Sequence, residues 1–117
     1  MKTVIIDTKQ RNQMIDITSI VETSLRESGV KNGICYVFVP HTTAAITINE
    51  NADKDVTRDI LSTISKLIPY KDDYRHMEGN SDAHVKASLM GNTLAVIVNE
   101  GRLVLGTWQS LFFCEFD

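Results

Sequence analysis

The most restrictive feature of this sequence is a pair of β-forming runs separated by a single proline. Gly33-Ile34-Cys35-Tyr36-Val37-Phe38-Val39 is nearly continuous β-former, Pro40 interrupts it, and Ala44-Ala45-Ile46-Thr47-Ile48 resumes the pattern. β-Branched and aromatic side chains suit the pleated surface of a sheet, whereas proline lacks the N–H that a central strand donates. His41-Thr42-Thr43 therefore lies at a strand break. Further β patterns open and close the chain. Thr3 to Asp7 and Met14 to Thr18 read as strands joined by a polar hairpin connection, Lys9-Gln10-Arg11-Asn12-Gln13. Thr93 to Val98 and Leu103 to Leu105 read as a second hairpin, turning through Asn99-Glu100-Gly101-Arg102. The apolar, aromatic tail from Thr107 to Phe116 reads as a buried strand.

Between these runs the period becomes helical. Val56, Ile60, Ile64 and Leu67 recur at helical spacing, which predicts a helix from about Asn51 to Leu67 that Pro69 stops. Thr18 or Ser19 caps a shorter helix through Ser28, with Gly29 at its end, and Ser81 to Met90 forms another closed by Gly91. Hairpin-length connections at both ends, with helices between, favour an α+β fold over a parallel Rossmann arrangement: a compact, largely antiparallel sheet assembly with two or three helices. No glycine-rich dinucleotide loop or Walker sequence is present.

At 117 residues the chain has the size of one domain, residues 1–117, large enough to close a single core without staples. Hydrophobic residues are 43 % and charged residues 23 % of the chain, a globular balance that excludes disorder. Cys35 and Cys114 both lie in apolar stretches, where a thiol packs as a small hydrophobe. No apolar run approaches the roughly 20 residues that span a bilayer, and no secretory leader pattern opens the sequence, so the expected compartment is the cytoplasm. The net charge is −3, and no basic cluster is interleaved with aromatics, so nucleic acid is not an expected partner.

His41, His76 and His84 are the only histidines, each at an element boundary or in a polar segment. Three imidazoles are a plausible zinc set, since catalytic zinc commonly keeps three protein ligands and one open position. The spacing matches no zincin or finger motif, so scattered histidines and a shared site both remain open. Asp53 lies three residues before Val56 and seven before Ile60, which places it on the inward helical stripe. A capping role beside Asn51 and Asp55 is the alternative. Asn49 and Glu50 precede it at the strand-to-helix junction. Pro69 to Ser81 is the longest polar stretch and holds Tyr74, Arg75, His76, Glu78, Gly79 and Asn80, a richer set than a plain connector needs. Gly79 opens backbone conformations closed to other residues.

Three motifs in order, His41-Thr42-Thr43-Ala44-Ala45 with Asn49-Glu50 and Asp53, His76-Met77-Glu78-Gly79-Asn80 with Ala83-His84, and Leu105-Gly106-Thr107-Trp108-Gln109, resemble the YjbQ family nearly end to end. The resemblance implies a β-sandwich-like core, a homotrimer, and secondary thiamine-phosphate synthase activity. That activity joins hydroxymethylpyrimidine diphosphate to thiazole phosphate and expels pyrophosphate. The residues matching the family's site are His41, Glu50, Asp53, His76, Glu78, Asn80 and His84. Thr42, Thr43, Arg75 and the main chain at Gly79 are candidate phosphate contacts beside Asn80. A divalent metal would stabilise the charge on departing pyrophosphate, zinc on the histidines or magnesium on the pyrophosphate itself. The expectation is thus a small metal-assisted enzyme acting on a small phosphorylated substrate. A metal-dependent phosphohydrolase and a non-catalytic metal- or ligand-binding module are the alternatives.

Overall fold

The computed structural model describes residues 1–117. Its elements run β1 (Gln13–Asp16), α1 (Thr18–Ser28), β2 (Gly33–Phe38), β3 (Ala44–Glu50), α2 (Lys54–Leu67), α3 (Ser81–Met90), β4 (Thr93–Asn99), β5 (Arg102–Leu103) and β6 (Gln109–Glu115). The strands form two antiparallel three-stranded sheets, ordered β1-β6-β3 and β2-β4-β5. The break at Pro40 therefore does more than interrupt one strand: it moves the chain from one sheet to the other.

Side-chain alternation along β6 explains how the layers stack. Leu111 and Phe113 point to the same side as Ala44 and Ile46 of β3, and meet Val96, Cys35, Val37 and Leu94 of the other sheet. Phe112 and Cys114 point the opposite way with Ala45 and, beyond the strand, Phe116; they meet Ala83 and Ala87 of α3 and Leu61 and Ile64 of α2. The order of layers is α2 and α3, then β1-β6-β3, then β2-β4-β5. The α+β class read from the sequence is the fold observed. Ala45 and Ala83 are both wholly buried, and their small side chains let α3 lie close on β3.

Several local expectations change. Thr3–Asp7 forms no strand: the segment runs beside α1, where Lys2 Nζ pairs with Glu27 Oε2 at 2.7 Å and only Ile6 reaches the core. No opening hairpin exists, because β1 finds its partner in β6. The long helix starts at Lys54, since Asp53 holds an extended backbone and its carboxylate accepts from the Asp55 N–H at 2.9 Å. Leu67, expected on the apolar stripe, is exposed at the end of α2. The last hairpin closes on the two-residue strand β5, with Val98 opposite Leu103 and Asn99 opposite Arg102.

Candidate functional site

α3 presents two different faces, and its sequence dictates both. Ala83 and Ala87 dock it on β3, which also carries Asp82 and Lys86 inward and turns His84 and Val85 toward the surface. Asp82 and Lys86 form an ion pair at 3.1 Å with almost no solvent exposure. Asp82 also accepts from Arg11 Nη2 at 2.8 Å, and Lys86 Nζ donates to Asn12 Oδ1 at 3.0 Å. Both buried charges are thereby paired, as a low-dielectric interior requires. The sequence reading missed this pair. The signal was present in the stripe Ala83, Lys86, Ala87, Met90, which places a lysine inside at helical spacing.

The segment from Ile68 to Asn80 delivers His76 to the exposed side of α3. Tyr74 donates its O–H to the Pro69 carbonyl at 2.7 Å and folds the segment back on itself. Gly79 then turns the chain into the helix with φ of +79°, a left-handed conformation that L side chains rarely adopt. The result is a close imidazole pair. The His76 and His84 rings stand edge to face, with centroids 5.4 Å apart and planes at 87°. With Ser81 and Val85 they line a shallow groove of about 340 Å³. Glu78 Oε1 lies 3.9 Å from His76 Nε2, an electrostatic neighbour beyond hydrogen-bond length.

Other residues named from the sequence stand elsewhere. His41 and Thr42 are exposed and Thr43 is half-buried on the β2–β3 connection, and His41 makes no ring contact with the other two histidines. Glu50 is half-buried at the end of β3, where its N–H donates to Asn49 Oδ1 at 2.8 Å. Asp53 sits exposed at the start of α2 as its cap. Asn80 is buried, and its amide donates to Asp117 Oδ2 at 2.9 Å while Oδ1 has no partner. Arg75 is exposed beside His76. No three His, Cys, Asp or Glu side chains are grouped so that they could hold one metal ion. One chain therefore brings together two of the three histidines.

Two imidazoles bound to one tetrahedral zinc at ordinary Zn–N lengths place their ring centroids about 5 Å apart. The His76–His84 separation is of that size, and nitrogen donors suit zinc better than magnesium, which takes oxygen ligands.

The UPF0047 protein YjbQ-like family model matches residues 2–117. The chain is 52 % identical over 118 residues to the UPF0047 protein YugU of Bacillus subtilis, covering 100 % of this chain and 89 % of YugU. A crystal structure of an uncharacterised YjbQ/UPF0047 protein from Clostridium acetobutylicum superposes with a TM-score of 0.94 at 56 % identity, covering 96 % of this chain and 87 % of that one. A YbjQ-like protein of unknown function from Sulfolobus solfataricus gives a TM-score of 0.92 at 38 % identity, covering 96 % and 82 % respectively. These findings overturn the expected activity. The relatives bear a family name and no reaction, so thiamine-phosphate synthase chemistry has no support from them. What the motifs do carry is kinship: this chain belongs to the UPF0047, YjbQ-like family.

Proposed function

We propose that the groove between the 68–80 segment and α3 is the reactive centre of an enzyme that moves a proton to or from a small bound substrate, with His76 and His84 also able to hold one zinc ion. The observation that carries this reading is the edge-to-face imidazole pair at 5.4 Å. Holding two surface imidazoles this close costs each of them conformational freedom, which favours a functional reason for the pairing. In the metal-free state one neutral imidazole offers an acceptor nitrogen while its neighbour offers an N–H. Glu78 Oε1, 3.9 Å from His76 Nε2, adds a carboxylate at the rim of the pair. Ser81, on the groove wall, has a hydroxyl that can donate to or accept from a substrate. Zinc, when bound, would supply Lewis acidity and an activated water.

Self-association is part of the same proposal, with a cyclic homotrimer as the assembly. The chain exposes 7907 Å², whereas a compact monomer of its mass exposes about 6,400 Å². The excess of about 1,500 Å² is close to two interface halves of about 800 Å² each, the number that each subunit of a ring contributes. The outer face of β2 and β4 supplies apolar area for it, with Tyr36 69 % and Phe38 62 % exposed beside Ile34 and Ile97. Unpaired thiols at Cys35 and Cys114 fit a reducing, cytoplasmic compartment. No helix is long and apolar enough to cross a membrane.

Elemental analysis of protein purified without a histidine tag and loaded with zinc tests the site. The expected result is one zinc per chain, lost in His76→Ala and in His84→Ala. Full occupancy in either variant, or no uptake by the wild type, would remove zinc from the reading.

A further inference from the structure

We infer that Arg11 is the positioning residue of the His76–His84 pair, holding both ends of the segment that carries His76 against the helix that carries His84. The inference rests on the proposed site and adds a residue that lies outside it. Arg11 sits in the polar stretch before β1, distant in sequence from every residue of the groove. Its guanidinium nevertheless reaches three places at once. It stacks over the Tyr70 ring at 3.9 Å, at the start of the segment. Its Nη1 donates to Asp117 Oδ1 at 3.1 Å, and Asp117 in turn accepts from the Asn80 amide at 2.9 Å, at the segment's other end. Its Nη2 donates to Asp82 Oδ1 at 2.8 Å, within the first turn of α3 and two residues before His84.

The geometry requires arginine specifically. A planar guanidinium donates from two nitrogens in a fixed fork while its face stacks on an aromatic ring; an ammonium provides a single point of charge. Asp82 is fully buried and Lys86 nearly so, hence the anchor on α3 is rigid. Tyr70 is half exposed and is held by the stack, so the segment depends on Arg11 more than the helix does. Between its buried ends at Ile68 and Asn80 the segment is polar and mostly exposed, and without the clamp it would sample many arrangements, in only some of which the imidazoles meet. Groups that orient metal-binding imidazoles typically change metal affinity by about 10–100-fold when removed.

The test uses the full chain with Arg11→Ala, Arg11→Lys and, as a control for stability lost elsewhere, Asp16→Ala. Two readouts are needed: the nuclear Overhauser effect between the His76 and His84 ring protons in metal-free protein, and zinc affinity by competition with a chelating dye. Arg11→Ala should lose the ring-to-ring effect and bind zinc about tenfold more weakly, Arg11→Lys should rescue neither fully, and Asp16→Ala should alter neither. If Arg11→Ala does not fold, Arg11→Lys decides on the same readouts. A folded Arg11 variant that keeps the full ring-to-ring effect overturns the inference. So does an Asp16→Ala variant that loses the effect equally, since general loosening would then suffice. A wild type that binds no zinc, yet loses the ring contact on Arg11 substitution, would overturn the metal reading and uphold the positioning role.

Discussion

Asp16 shows how one side chain joins three elements. Burial pushes its carboxyl upward, but hydrogen bonds from Thr18, Asn51 and Ser110 outweigh that and hold it below its ordinary 3.8. Thr18 Oγ1 donates to Asp16 Oδ1 at 2.6 Å and accepts from the Leu111 N–H at 2.9 Å, so the start of α1 is tied to β6. Ile17, at the N-cap of α1, offers no capping group, and Asp16 serves instead through the Thr18 N–H. Asp16→Ala should cost about 1 kcal/mol at neutral pH, a modest figure because the site is partly exposed and screened. A depressed native pKa contributes stability that is present above the unfolded value and lost as pH falls through the folded one. The difference between wild type and variant should therefore narrow as pH falls below 3.8, as urea unfolding across pH would show. A gap that stays constant into acid would mean the carboxylate's charge is irrelevant. At this scale the sequence is readable for Gly79, which follows from a local backbone rule; for Asp53 it favoured the inward stripe and left the cap as the alternative, and the exposed cap is what is observed, because Asp53 precedes the helix. The Asp82–Lys86 pair was signalled by helical spacing and overlooked, whereas Arg11 was not readable, because what it touches lies up to 106 positions away, as between Arg11 and Asp117.

The elements follow the same division between local and distant causes. The β4–β5 turn has Glu100 at φ of 52° and Gly101 at 76°, two consecutive left-handed residues as in a type I′ hairpin, the tight turn expected from Asn99-Glu100-Gly101-Arg102. Glycine adopts this conformation freely; glutamate does not. Glu100→Asn should raise stability by about 0.5–1 kcal/mol, because asparagine tolerates the left-handed region and the turn needs no other change. A lower melting temperature would contradict that account of the turn. The central strand β6 was legible from its apolar run, as was the break at Pro40. Thr3–Asp7 was not, since alternation identifies a segment fit to pair but does not supply a partner. The same limit applies to α3. Its inner face mixes two alanines with a charged pair, so amphipathic pattern reveals little until β3 is seen beside it.

At the scale of the whole molecule, a helix layer and two sheets leave one sheet face uncovered. Large apolar side chains on a monomer's surface usually occur singly; here Ile34, Tyr36, Phe38 and Ile97 are neighbours on paired strands. Light scattering coupled to size exclusion should give a trimer mass, and Tyr36→Glu with Phe38→Glu should shift it toward monomer. A monomeric wild type at micromolar concentration would contradict the assembly. Family and fold class were legible because the motifs and the strand and helix periods are local features of sequence. Activity was not, because the same motifs mark kinship whether or not a reaction has been assigned to the relatives. The three histidines illustrate why: sequence places all of them in polar segments, and folding unites His76 with His84 while leaving His41 without a ring contact.

Whether His76 and His84 act as one site is decided by long-range nitrogen–proton spectra of the imidazoles during zinc titration. The His76 and His84 resonances should shift together and saturate at one zinc per chain, with His41 unchanged. Independent shifts of His76 and His84, or no shift in either, would contradict a shared site.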